Sequence, residues 1–175
     1  KKHHQIRKTM NFNENEQPKS VYIHIPFCRR RCFYCDFPIF VIGDLQQGEN
    51  SSTIQKYVET LIKEIEMTPG GGQPLETVFF GGGTPSLLSV HQLNQIMEIL
   101  DRRFGLSPGA EISIEMDPGT FDLEKLYGYV QGGINRVSLG IQAFQDELLS
   151  ICGRSHSSKD IFTAIDLLYQ VGVSD

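Results

Sequence analysis

The sequence predicts an α/β fold in which a parallel sheet forms the N-terminal part of a TIM-type β/α barrel. Three observations carry that expectation. Strand-like and helix-like segments alternate four times along the chain. Each strand is followed by a helix long enough for the crossover that parallel neighbours require. The later strands each have a polar and an apolar face, as expected if helices cover one side and a lumen lies on the other. Four such units are fewer than the eight that close a barrel of about 250 residues, so this chain is expected to be the front portion of a larger protein.

Residues Lys1 to Lys19, dominated by Asn, Glu and Gln, read as a flexible polar tail. Val21 to Ile25 then alternates apolar and polar side chains with the period of a strand, and Pro26 ends it. After the cysteine-bearing loop, Ile54, Tyr57, Val58, Leu61, Ile62 and Ile65 recur at helical spacing, with Pro69 and the following glycines as terminator. A second strand spans Thr77 to Phe80, followed by a glycine-rich turn and a helix with an apolar stripe of Val90, Leu93, Met97, Leu100 and Phe104. Ile112 to Met116 is the third strand, and Asp122 to Val130 the helix after it, with Leu123, Leu126, Tyr127 and Val130 on one face. Arg136 to Ile141 is the fourth strand, and helices follow over Asp146 to Ile151 and Ser158 to Val171.

Glu111, Ser113 and Glu115 share one face of their strand, while Ile112, Ile114 and Met116 share the other. Ser138, Gly140 and Gln142 repeat the pattern against Val137, Leu139 and Ile141. The apolar faces belong under the helices and the polar ones toward the lumen. Functional groups are then expected at the carboxyl ends of the strands, where Glu115, Gln142 and the cysteine loop fall.

Of the 175 residues, 39% are hydrophobic and 21% charged, the balance of a globular domain with a core. A net charge of −5 with scattered Lys and Arg argues against a phosphate-tracking nucleic-acid binder. No stretch approaches the run of about 20 apolar residues of a membrane helix, and the Lys/His-rich start lacks the apolar region of a signal peptide. A cytoplasmic protein with small-molecule partners is expected.

Cys28, Cys32 and Cys35 crowd one short segment, which suits a metal site in a reducing compartment better than a disulfide framework. Three thiolates serve three irons of a [4Fe–4S] cube and leave the fourth open to a ligand; structural iron–sulfur sites normally use four cysteines. The alternative on spacing is structural zinc held by the three cysteines and His24. Arg29, Arg30 and Arg31 either offset a cluster's negative charge or form a solvated loop. Cys152 reads as a small buried thiol, and His24, His91 and His156 as ordinary polar residues, His24 being nearest the cysteines.

The CxxxCxxC spacing after a first strand resembles the signature of the radical-SAM superfamily. Further stretches resemble the oxygen-independent coproporphyrinogen III oxidase-like family: Tyr22 to Cys28, Tyr34 to Phe37, Gly81 to Ser86, Ile114 to Gly119, Arg136 to Phe144 and Cys152 to His156. The resemblance covers nearly all of residues 20 to 175. It implies a radical-SAM (partial TIM-type) barrel carrying a [4Fe–4S] cluster on Cys28, Cys32 and Cys35. The open iron would chelate S-adenosyl-L-methionine, and electron transfer would cleave it to a 5′-deoxyadenosyl radical. By the same resemblance Tyr22, Tyr34, Glu115, Gln142 and Arg154 contact the cosubstrate. The loop containing Gly82, Gly83 and Thr84 meets its methionine part, where missing Cβ atoms allow close approach and free N–H groups could bind a head group. That loop is neither a Walker nor a Rossmann fingerprint.

Within this family the resemblance leaves a fork. True oxidases, which convert porphyrinogen propionates to vinyls, carry a further cysteine two residues after the third ligand, whereas this chain has Phe37 there. Phe37 implies the heme chaperone branch, with heme as cargo and with heme-recipient proteins and an electron donor as partners.

Overall fold

The computed structural model describes residues 18–70 and 72–173. Most of the expected tail, residues 1–17, lies outside the described residues. Lys19 is already tied to the sheet margin, its Nζ 2.8 Å from Glu76 and its carbonyl accepting the Glu76 N–H at 2.7 Å.

In chain order the elements are β1 (Ser20–Ile25), the two-residue strands β2 (Phe27–Cys28) and β3 (Phe40–Val41), α1 (Ser52–Met67), β4 (Leu75–Gly82), α2 (Val90–Phe104), β5 (Leu106–Met116), α3 (Leu123–Gln131), β6 (Arg136–Leu139), α4 (Asp146–Ile151) and α5 (Ser158–Gln170). The main sheet runs β1-β4-β5-β6 and every pair is parallel. Each strand lies beside its predecessor, so the sheet winds in one direction, as a barrel does, and does not reverse as a doubly wound sheet would.

The helices form where periodicity and caps agree. Ser51 caps α1 by accepting the Ile54 N–H, and Ile54, Val58 and Ile65 are its buried face. Ser89 and Gln92 make a capping box at the start of α2, and Arg102 and Arg103 fall in its last turn, where the helix dipole favours cations. Leu93, Ile96 and Leu100 are wholly buried against Val78, Phe80, Ile112 and Ile114 of the sheet's apolar face. Burial of each is worth roughly 1.5–3 kcal/mol relative to exposure. The expected division of strand faces therefore holds.

The departures from the sequence expectation that bear on the site are in β5, β6 and α3. β5 begins at Leu106 rather than Ile112, because Pro108 and Gly109 are carried within the strand, where its pairing with β4 shifts register between Leu75 and Thr77. β6 stops at Leu139, and its Val137 and Leu139 are only half-buried because β6 is an edge strand in the described sheet. In α3 the core side chains are Leu126 and Tyr129, whereas Tyr127 is exposed. The helix is rotated from the face that the Leu123/Tyr127 spacing suggested.

Candidate functional site

The cysteines lie on a loop closed at its base by β2 and β3. Their pairing is supplemented by the Phe40 N–H donating to the Pro26 carbonyl at 2.7 Å and the Ile42 N–H to the Cys28 carbonyl at 3.0 Å. The three arginines of the loop brace it. Arg31 Nη1 donates to the carbonyls of Cys35 at 3.2 Å and Phe37 at 3.1 Å. Arg30 forks onto Asp44, with a closest approach of 2.6 Å. Arg29 reaches the Gly119 carbonyl and Gln47 Oε1. Arg30 and Arg31 are exposed and Arg29 is half-buried, and beside either sequence alternative the three hold the loop's shape.

The loop is also docked from the far end of the chain. The Phe33 N–H donates to the Cys152 carbonyl at 3.0 Å, and the Phe33 ring lies over Gly153. There α4 ends in a Schellman motif, the Gly153 N–H donating to the Ser150 carbonyl and the Arg154 N–H to the Leu149 carbonyl, with Gly153 at φ +73°. That left-handed turn, easy for glycine, directs Arg154 into the site. Cys152 is half-buried rather than buried, and its carbonyl rather than its thiol serves the loop.

The three cysteines line one cleft of about 270 Å³ together with Tyr34, Gly82, Gly83, Thr84, Glu115, Gln142 and Arg154. Tyr22 lies apart from the lining, half-exposed against Phe79, with its hydroxyl 3.0 Å from His24 Nδ1. Phe37 borders the cleft beside Cys35. Gln142 holds a left-handed backbone at φ +66°, a strain of about 1–3 kcal/mol for a non-glycine residue at the carboxyl margin of the sheet.

The glycine turn departs from expectation in its donors. The Gly82 N–H is taken by Glu115 Oε2 at 3.0 Å, Gly83 donates to the Ile25 carbonyl at 2.8 Å, and Thr84 to the Phe27 carbonyl at 2.7 Å. No free N–H is left on these three residues. What the turn provides is space: a Cβ on Gly82 would fall 2.8 Å from the His24 ring, and one on Gly83 2.9 Å from Cys28 Sγ. Burial raises the Glu115 carboxyl above its usual range, partly opposed by the Gly82 bond.

Asp117, which the sequence reading passed over, belongs to the site, and His156, read as an ordinary polar residue, stands beside it. Asp117 continues the alternation of Glu111, Ser113 and Glu115, a signal that could have found it, and its Oδ1 accepts from Arg154 Nη2 at 2.6 Å. His156 is buried beside the same guanidinium, with Nε2 3.2 Å from the Ile141 carbonyl; burial lowers its pKa. Arg154 Nη1 lies 3.4 Å from both Cys32 Sγ and the Tyr34 hydroxyl.

The donor set fits an iron–sulfur cluster. Three free thiols share the cleft, yet among the described residues no three His, Cys, Asp or Glu side chains converge tightly enough for one metal ion. By donor chemistry three free cysteines suit a cluster, in which each thiolate binds a different iron. His24, the fourth ligand of the zinc alternative, is engaged by Tyr22 and does not line the cleft. The Cys28 thiol is pushed up by burial and, further, by Asp117 and the other two cysteines, with the Thr84 bond opposing.

Residues 22–175 match the sequence pattern of the Radical SAM superfamily. The chain belongs to that superfamily. Membership implies a [4Fe–4S] cluster and S-adenosylmethionine. Among its relatives, this radical-SAM chain is 51% identical over 166 residues to the heme chaperone HemW of Synechocystis, covering 95% of this chain and 40% of that protein. It is 40% identical to HemW of Bacillus subtilis over 159 residues, covering 88% and 40%. The solved structure of coproporphyrinogen III oxidase (HemN) from Escherichia coli, described as a radical SAM enzyme, matches with a TM-score of 0.80 at 31% identity, covering 91% of this chain and 36% of that one. The radical-SAM chain spans about two fifths of the length of the curated relatives it matches. No helix among the described residues is long and apolar enough to cross a membrane.

Proposed function

We propose that this chain is the N-terminal part of a cytoplasmic radical-SAM heme chaperone that carries heme as cargo and passes it to recipient proteins. The observation that carries the reading is the 51% identity to a heme chaperone across 95% of the chain. Phe37 supports it, since a phenyl ring borders the cleft where the oxidase resemblance calls for a further thiol.

In this reading Cys28, Cys32 and Cys35 hold the [4Fe–4S] cluster, and Tyr22, Tyr34, Gly82, Gly83, Thr84, Glu115, Gln142 and Arg154 hold S-adenosylmethionine. When bound, the cluster supplies the electron, received from a donor protein, that cleaves the sulfonium bond. The chain's own residues do the binding and orienting. Tyr34 offers a ring for adenine to stack on. Gln142 and the second oxygen of Glu115 suit ribose hydroxyls. Arg154 Nη1 suits a carboxylate. The turn's donors being spent, close approach of the amino-acid end would meet carbonyl oxygens, which accept from an ammonium group.

An oxidase that decarboxylates coproporphyrinogen III is the second reading, favoured by the match to HemN. Anaerobic reconstitution of the full-length protein, assayed in parallel for heme binding by absorbance and for conversion of coproporphyrinogen III to protoporphyrinogen IX, separates them. Heme binding without turnover is expected; robust vinyl formation would replace the chaperone reading with the oxidase.

A further inference from the structure

Asp117 stands just past the carboxyl end of β5, on the same face as Glu115. Arg154 Nη2 donates to its Oδ1 at 2.6 Å and to the Gly140 carbonyl at 3.0 Å. A guanidinium Nη carries two hydrogens, and these two acceptors are its shortest partners, with His156 Nδ1 further off at 3.4 Å. The planar fork is thereby fixed, leaving Nη1 turned toward Cys32 Sγ and the Tyr34 hydroxyl. Those contacts, both 3.4 Å, are long enough for a better acceptor to displace. The Arg154 side chain is only 7% exposed and that of Asp117 27%, so the pair is shielded from water. Gly140 makes the room: a Cβ there would lie 2.6 Å from Asp117 Oδ1. On its other side Asp117 Oδ2 lies 3.5 Å from the Thr84 hydroxyl, and the Asp117 N–H donates to Ser86 Oγ at 3.2 Å, which ties β5 to the glycine turn.

We propose that Asp117 is a positioning residue that orients Arg154 so that Nη1 receives the carboxylate of the amino-acid-type cosubstrate. The inference rests on reading the cleft as the S-adenosylmethionine site. It differs in sign from a role as bare counter-charge. Asp117 neutralises part of the guanidinium's field, so on charge alone its removal would tighten the hold on a carboxylate. On geometry its removal frees the fork and weakens that hold.

The test uses the full-length protein, reconstituted anaerobically and matched for iron per chain, with the S-adenosylmethionine-induced change in the electron paramagnetic resonance spectrum of the reduced cluster titrated as the readout. Asp117→Asn is expected to raise the half-saturating concentration on the order of tenfold, in line with other residues that orient a ligating group. Gly140→Ala, which changes no charge but crowds the carboxylate, is expected to shift it in the same direction. Arg154→Met is expected to be at least as weak, and the Asp117→Asn/Arg154→Met double variant no weaker than Arg154→Met, because the two act through one contact. Unchanged or tighter binding in Asp117→Asn, or additive losses in the double variant, would overturn the proposal. No spectral response in the wild type would overturn the reading beneath it, and the positioning role with it.

Discussion

Gly83 leaves the space that Cys28 needs. A Cβ built on Gly83 would stand 2.6 Å from the Phe27 carbonyl oxygen and 2.9 Å from Cys28 Sγ, neither of which sits on a flexible chain end. Gly83→Ala is therefore expected to displace the thiol or the β2 backbone at about 1–3 kcal/mol. Iron and sulfide analysis after anaerobic reconstitution should show cluster affinity down on the order of tenfold, while far-ultraviolet circular dichroism keeps its wild-type shape. Full cluster occupancy in this variant would mean that the turn yields more readily than its backbone bonds to Ile25 and Phe27 suggest.

Arg31 and Arg30 are neighbours with unequal consequences. Arg31 gathers the carbonyls of Cys35 and Phe37 and so spans the cysteine loop, whereas Arg30 pairs with Asp44 in open solvent. Arg31→Ala leaves two loop carbonyls without their donor, and cluster loss to an iron chelator should accelerate several-fold, on the order of the factor that about 1 kcal/mol from one exposed hydrogen bond supplies. Arg30→Ala should leave that rate near wild type, since exposed ion pairs contribute little. Equal rates for the two variants would remove Arg31 as a brace.

What could be read from the sequence was what repeats locally. The 3.6-residue period of α1 and α2 and the two-residue alternation of β5 appear in the chain itself, and they fixed the layers and the end of the sheet at which function belongs. Asp117 escaped because its meaning depends on Arg154, which reaches it only after α3, β6 and α4 have been packed. The glycine turn was recognised but its donors were misjudged, since whether an N–H is free depends on the neighbouring strands, and the Ile25 and Phe27 carbonyls and Glu115 stand where a ligand was expected. The α3 face was misphased because Tyr127 and Tyr129 flank Gly128 in a helix too short for periodicity to choose between them.

Lys125 is half-buried beneath the site, with Nζ donating to the Ser86 carbonyl at 2.6 Å and the Thr120 carbonyl at 3.3 Å. Burial, and then the like charge of Arg29, lower its pKa from 10.5 to about 8. Below pH 8 the folded protein holds a charged amine at a cost. As pH rises through 8 the folded form releases the proton, while the unfolded chain keeps it to about 10.5. Unfolding therefore takes up a proton in that window, and stability should rise across it on the order of 3 kcal/mol. Urea unfolding of wild type and Lys125→Met between pH 7.5 and 9.5 isolates this group: the difference in stability between the two proteins should change with pH, and a constant difference would show that Lys125 titrates normally.

Tyr129 tests whether the α3 face is assigned correctly. Its side chain is fully buried, its hydroxyl donates to the Leu88 carbonyl at 2.7 Å, and the Lys125 ammonium lies 5.7 Å from its ring centroid. Tyr129→Phe keeps the ring but leaves the Leu88 carbonyl unpaired in a dry core, so a loss of about 1–3 kcal/mol is expected. Tyr127, on the exposed side of the same helix, has no such partner among the described residues, and Tyr127→Phe should stay within about 0.5 kcal/mol of wild type. Denaturant midpoints of the two variants give the comparison. The sequence stripe, which placed Tyr127 inward, predicts the opposite ranking, because a helix rotated by that amount would bury the hydroxyl of Tyr127 and leave that of Tyr129 in water.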